Sequence, residues 1–368
     1  MRTLYLHIGT HRTATSSIQA FMLANCDLLP ARGILYPYKT ARHLGLFNGL
    51  FSGRREVGEV AQDLSSRADK RQHPVHSIVL SDEDVCMRRD LSRLAEFRSH
   101  FNVKVIFALR RQDLWLESWF LQNIKWQWNK DLSHCTLAEF LAQRESFHWA
   151  DYNRYVTHLE DLFGIENVLP YVFEKAQMPG GPVAAFARLI GLEDLTGLAP
   201  APHVNSSHSP MVSEFMRCMP LDDAPPHYRA LLEKACWMLD RTLVKSAADS
   251  SSLLIDPETR AAIMAEYAAG NSALAQRHFG RAALFLEPMP APDAALAPMV
   301  LPADSYALMR DYVEPMIRGL IAQNMEPPVK PLAKPLNGPD AAKPLAVKPF
   351  APPQKPGKRR NAPAGDPS

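Results

Sequence analysis

Apolar runs recur along this chain, separated by segments whose apolar residues fall at helical spacing. Leu4-Tyr5-Leu6-His7-Ile8 and His76-Ser77-Ile78-Val79-Leu80 read as buried strands, and Arg32 to Pro37 as a turn with a short strand that Pro37 stops. Val103 to Leu109 (VKVIFAL) is almost uninterrupted, as in the interior of a parallel sheet. Asn167 to Glu174 is a further strand, which Pro170 assigns to an edge or a bulge. Between and after these runs the spacing predicts helices. One carries Ile18, Phe21, Met22 and Asn25 along one side, and Glu56 to Lys70 is polar and ends at His73-Pro74. Another is capped by Asp113 and runs through Trp115, Ser118, Gln122 and Trp126. Thr40 to Phe47 starts a weak helix, and Thr136 to Glu145, Asp151 to Phe163, Pro182 to Gly191, Asp256 to Phe279 and Ala303 to Gln323 complete the set. Strands alternating with helices predict an α/β, three-layer fold with a central, mainly parallel sheet and a helical C-terminal part.

Composition divides the chain. Residues 1–325 form the α/β domain, whereas residues 326–368 hold twelve prolines, repeated Lys-Pro pairs, and eight Lys/Arg against three Asp/Glu. Such a tail cannot build a core and is expected to be flexible or polyproline-like. A solvated tail is the plainer expectation, with weak peripheral association of its basic charge with acidic membranes as the alternative. Net charge is +2 for the whole chain, so the domain without the tail is slightly acidic, which argues against a nucleic-acid partner. Cys26, Cys86, Cys135, Cys218 and Cys236 are scattered without metal-ligand spacing, as expected of reduced thiols and no metal site. The first strand begins within a few residues of Met1, leaving no room for a signal peptide, and no apolar run reaches the length of a membrane span. The expected location is cytoplasmic.

The chemistry concentrates after the first strand. Gly9-Thr10-His11-Arg12-Thr13-Ala14-Thr15-Ser16-Ser17 crowds hydroxyls and one guanidinium at a helix start, and Ser16 with Gln19 fits a capping box. A helix start of this kind is suited to a phosphate-like anion. It is not a Walker loop, which needs Gly-Lys where this chain has Ala14-Thr15. The strand ending at Leu80 runs into Ser81-Asp82-Glu83-Asp84, at the sheet end where α/β proteins bind ligands. The bland alternative for this acidic cluster is a solvated turn and helix cap.

The hydroxyl run with an early cation resembles the 5′-phosphosulfate loop of sulfotransferases that use 3′-phosphoadenosine 5′-phosphosulfate (PAPS). Arg110-Arg111-Gln112-Asp113, followed by Glu117-Ser118 and Gln122, is similar to that family's 3′-phosphate segment. The order helix, Phe163-Gly164, strand, Glu174, helix, Gly191-Leu192 resembles its next strand region. The basic C-terminal loop of eukaryotic cytosolic members has no match here, which points to the bacterial branch. The resemblance implies a P-loop-like nucleotide site in which Gly9 to Ser17 surround the 5′-phosphate, with Thr13, Thr15, Ser16 and Ser17 as direct contacts. It implies that Arg110 and Ser118 hold the 3′-phosphate and that Arg12 stabilises the bridging oxygen. The family usually has lysine at the position of Arg12; arginine keeps the charge but holds its proton, which favours charge stabilisation over acid catalysis. Glu83 is the implied base, His43 the second candidate and His11 the third. No metal is required, because the leaving bisphosphate is a good leaving group. The implied acceptor is a hydroxyl of a carbohydrate or glycolipid. His148-Trp149, Trp126-Trp128 and Trp237 are candidates for lining a sugar cleft, against the alternative that they are core. Two other functions stay open: a P-loop kinase-like ATP enzyme, and a non-catalytic nucleotide- or glycan-binding protein of the same fold.

Overall fold

The computed structural model describes residues 1–201, 207–244 and 253–325. Its strands are β1 (Thr3–His7), β2 (Ile34–Leu35), β3 (Ser77–Ser81), β4 (Asn102–Leu109) and β5 (Val168–Val172). Among the described residues they make one all-parallel sheet in the order β2-β3-β1-β4-β5. The helices of the first half are α1 (Thr15–Ala24), α2 (Leu44–Phe51), α3 (Val57–Asp69), α4 (Ser92–Ala95), α5 (Gln112–Trp126), α6 (Lys130–Ser133) and α7 (Leu137–Ala142). They are followed by α8 (Tyr152–Phe163), α9 (Gly181–Leu189), α10 (Pro210–Arg217), α11 (Pro226–Val244), α12 (Pro257–Phe279), α13 (Ser305–Leu308) and α14 (Glu314–Met325).

Alternation along the strands sets the layers. Val103, Val105, Phe107 and Leu109 of β4 join a cluster with Leu64 of α3, Trp115 of α5 and Val156 of α8. Ile106 and Ala108, one residue out of phase, join Val79 and Tyr171 against Ile18, Phe21 and Met22 of α1 and Phe186 of α9. With both faces covered, the strands can be apolar throughout, and each fully buried aliphatic or aromatic side chain contributes about 1.5–3 kcal/mol. The three-layer α/β arrangement expected from the pattern is present. Pro170 lies in β5, at the sheet edge, where its missing N–H costs no ladder bond.

Helix ends differ from the sequence expectation in two informative places. α1 starts at Thr15 behind a left-handed Ala14 and has no side-chain cap, so the Ser16–Gln19 capping box does not form. Gln19 is instead turned inward, its Nε2 donating to Glu83 Oε2 at 2.6 Å and Ser81 Oγ at 3.2 Å. Asp113 does not cap α5 either. It lies inside the first turn, where Arg111 grips both carboxylate oxygens at 2.8 and 3.0 Å and Arg260 of α12 pairs with it as well. In both cases a buried ionic partner outbids a local cap. Asp151 and Thr136, which lack such partners, do cap their helices.

The chain divides after Gln323. The tail from 326 onward, and residues 203–206 of the polar loop ahead of α10, lie outside the described residues. All five cysteines are free, three of them buried. Among the described residues no helix is long and apolar enough to cross a membrane.

Candidate functional site

Parallel register brings the chemistry to one edge. His7 of β1 lies beside Ser81 of β3 and Ile106 of β4, so the loops leaving β1, β3 and β4 emerge together at their carboxyl ends. From β1 the chain turns toward β2, and from β4 toward β5. The crevice between the two is the topological switch point of the sheet.

The loop after β1 is held by its own backbone contacts. Gly9 carbonyl accepts from Ala108 N–H, Thr13 Oγ1 donates to Thr10 carbonyl at 2.6 Å, and Trp115 Nε1 donates to His11 carbonyl at 3.0 Å. Arg12 and Ala14 adopt positive φ values of 65° and 59°, a conformation costing about 1–2 kcal/mol for a residue with a Cβ. This zigzag swings the Arg12 side chain away from the sheet and toward α5. There its Nε donates to Ser118 Oγ at 2.6 Å, Nη1 to Gln122 Oε1 at 3.1 Å, and Nη2 to Ser207 Oγ at 2.5 Å. Arg110 reaches back from the end of β4, its Nη1 donating to Arg12 carbonyl at 2.8 Å. Burial, and then the neighbouring Arg110, lower the pKa of Arg12 to about 10; burial also lowers that of Arg110. Neither guanidinium makes a salt bridge among the described residues, so two adjacent cations depend on neutral acceptors alone. Beside them the N–H groups of Thr15 and Ser16, the first of α1, find no acceptor among the described residues.

Across the crevice stand the acids. Glu83 is 6 % exposed and lies against Gly9, where an added Cβ would come within 3.3 Å of Glu83 Cβ. Glycine, at φ 110°, is therefore required there both for backbone conformation and for the acid's approach. Arg42 gathers three carboxylates: Nη2 is 2.7 Å from Asp82 and 2.8 Å from Asp84, and Nε is 3.5 Å from Glu83. Burial raises the Asp82 pKa to about 6 against the pull of Arg42, with Asp84 and Glu83 adding to the rise. Asp84 moves the other way, because His11, with Nε2 at 3.1 Å, and Arg42 outweigh its burial.

A cavity of about 470 Å³ opens between the two groups, walled by Arg12, Thr15, Ser16, Ser17, Glu83 and Gln122 among others. Ala14 and His11 also line it. A second cavity of about 570 Å³ lies on the far side of Arg110, whose guanidinium stands over the Phe173 ring at 5.8 Å. Several residues expected in the site have other duties. The side chain of Thr13 is spent on Thr10 carbonyl and does not line the cavity, so it braces the loop and is not the direct phosphate contact expected of it. Thr10 is likewise buried, its Oγ1 3.8 Å from Cys86 Sγ. Ser118 is committed to Arg12. His43, between the Tyr36 and Tyr38 rings, accepts the Ser81 N–H on Nδ1 at 3.0 Å. Burial lowers its pKa to about 4, and it is absent from the cavity wall. With Nδ1 occupied as an acceptor, the neutral ring carries its proton on Nε2 and has no free lone pair for a base.

Sequence reasoning passed over Gln19, Arg42, Gln122 and Ser207 as site residues. Gln122 had a signal, standing one helical turn beyond Ser118 on the same face. Arg42 had none that local pattern could supply, whereas Ser207 belongs to the polar stretch His203 to Pro210 ahead of a helix, for which the sequence leaves contact with a nucleotide open. The tryptophans separate into two sets. Trp115, Trp119 and Trp149 pack together in the core, whereas Trp126 and Trp128 line the main cavity with rings 5.7 Å apart and 6° from parallel. Trp237 packs at a tilt against His208 and, like Trp126, lies near the Lys125 ammonium. Among the described residues no group of His, Cys, Asp and Glu is arranged to hold a metal ion. No protein-family model, curated protein or solved structure matches the chain.

Proposed function

We propose that this chain is a sulfotransferase that moves a sulfuryl group from PAPS to an acceptor hydroxyl. The observation that carries the reading is the Arg12–Arg110 pair. Two guanidiniums near enough to repel, with no salt bridge to a carboxylate among the described residues, favour an anion that would offset their repulsion and burial. They come from the two segments whose residues resemble the PAPS-binding segments of that family, and Ser118 joins them.

PAPS suits this donor set. The free N–H groups of Thr15 and Ser16, the hydroxyls of Ser16 and Ser17, and Arg12 would hold the 5′-phosphate. Arg110 and Ser118 would hold the 3′-phosphate. Bound there as a substrate, PAPS supplies the sulfuryl group. Arg12 keeps its proton throughout and opposes negative charge growing on the leaving oxygen. Glu83 takes the proton of the acceptor hydroxyl. Gln19 and Arg42 both address its Oε2, which fixes the carboxylate and leaves Oε1 for the acceptor.

Thermal unfolding of the full chain tests the reading. Adenosine 3′,5′-bisphosphate at a hundred times its dissociation constant is expected to add about 2.7 kcal/mol, and ADP or magnesium-ATP much less. Equal stabilisation by ADP, or a larger effect of magnesium-ATP, overturns it in favour of an ATP enzyme. Bisphosphate binding with no turnover of PAPS toward any hydroxyl acceptor leaves a binding protein instead.

A further inference from the structure

We propose that Trp126 and Trp128 form the acceptor subsite of the main cavity and that they receive a pyranose ring. As an acceptor subsite the inference rests on the proposed sulfuryl transfer; as a sugar-binding surface it does not. Residues two apart on a helix point in nearly opposite directions, so a Trp-x-Trp sequence by itself predicts no shared surface. Here α5 ends between the two rings. Gln127 adopts φ 42°, and this left-handed turn brings the second indole parallel to the first.

The turn is built, not incidental. Gln127 is buried, and its amide donates to the carbonyls of Met216 at 2.8 Å and Met219 at 3.1 Å while accepting the N–H of Asp222 at 3.0 Å. The three hydrogen bonds act as a strut from the end of α5 to the last turn of α10 and the segment after it. What the strut holds in place is Trp128, which is 53 % exposed, whereas Trp115 and Trp119, which also stack on each other, are 0 % and 3 % exposed. The two indoles stack on each other at the cavity wall, so one ring braces the other and the outer face of the pair is the surface offered to a flat partner.

The surroundings select the partner's chemistry. A sugar ring offers C–H groups on its face and hydroxyls around its edge, which matches an indole floor with polar walls. Gln122, Lys125 and Arg42 line the same cavity as the two rings, and so does the proposed base Glu83. A phenol or sterol would need an enclosed apolar pocket, and this floor is open to water on its Trp128 side.

The test uses the full chain and an array of pyranose oligosaccharides, followed by calorimetry on the tightest binder and its alkyl glycoside, with 4-nitrophenol as the comparison. Trp128→Ala is expected to weaken saccharide binding by about tenfold and Trp128→Phe by much less, as loss or retention of a stacking face implies. Stabilisation by adenosine 3′,5′-bisphosphate, measured in the same variants, should not change and reports that they are folded. Tighter binding of the alkyl glycoside assigns the sugar to a glycolipid and equal binding to a free glycan; both support the subsite. Undiminished binding by the Trp126→Ala/Trp128→Ala double variant, binding of 4-nitrophenol with no saccharide bound, or an array without any binder overturns it. Trp-dependent saccharide binding in a protein that ignores the bisphosphate keeps this inference and removes the sulfuryl-transfer reading.

Discussion

Arg12 Nε donates to Ser118 Oγ across 2.6 Å, closing a separation of 106 residues at the carboxyl edge of the sheet. The contact joins the loop after β1 to the helix after β4; Arg12 lines one cavity at this edge and Arg110 the other.

Arg12→Met tests what that cation is for. The bisphosphate should lose at least about tenfold in affinity, since a hydrogen bond to a charged group contributes about 1.5–3 kcal/mol. The unliganded variant should unfold at a higher temperature than the parent, because the repulsion from Arg110 is gone. A lower midpoint would make Arg12 a structural residue.

Glu83→Gln keeps the shape and removes the proposed base. Turnover of PAPS is expected to fall by about 10²–10⁴, the usual contribution of general acid–base catalysis, while the bisphosphate still stabilises the variant. Unaltered turnover would leave the proton to another group.

His43→Phe should cost stability and not turnover per folded molecule. The change strands the buried Ser81 N–H, at about 1–3 kcal/mol. Because the folded-state pKa of His43 lies near 4, below its ordinary value, the stability it contributes is present above about pH 6.5 and lost as pH falls toward 4. The gap between parent and variant in urea midpoint should therefore narrow on acidification.

Asp82 predicts the opposite slope. Its pKa is raised to about 6, so its contribution is present in full below the ordinary carboxylate range and declines as pH rises through 6. Asp82→Asn should flatten this decline, with the variant gaining on the parent between pH 4 and 7 by about 3 kcal/mol at most. Parallel pH profiles of the two proteins would contradict the assignment.

Arg260→Met probes the ion cluster beneath the site. Arg260 pairs with Asp113 and with Glu117, whose Oε1 also accepts the N–H groups of Leu254 and Ile255. Breaking a buried pair from one side costs about 3–5 kcal/mol, and the denaturant midpoint should fall accordingly. Asp113 and Glu117 precede Ser118 on α5, so the bisphosphate affinity of the folded fraction should weaken too.

Elements whose stability is local could be read directly from residue order. The run from Val103 to Leu109 reads as a strand covered on both faces, and Pro170 restricts its strand to an edge or a bulge, of which the sheet shows the edge. Thr136 and Asp151 cap their helices because no competing partner is near. The strand, turn and helix around Gly9 to Ser17 were legible for the same reason, since an apolar run followed by glycine and a run of hydroxyls marks a strand-to-helix turn. The chain's order alone could not show which side chains meet across the crevice. Gln19 and Asp113 carry the signatures of helix caps, yet each is drawn to an ionic partner at least 64 positions away or buried beside it, where low dielectric strengthens the attraction. His43 became a buried acceptor instead of a base, Thr13 a brace instead of a phosphate ligand, and the two tryptophans either side of Gln127 a parallel pair, a geometry that their spacing alone does not give. Each outcome depends on a contact between distant segments, and folding fixes those contacts only once the sheet has brought its carboxyl ends to one edge.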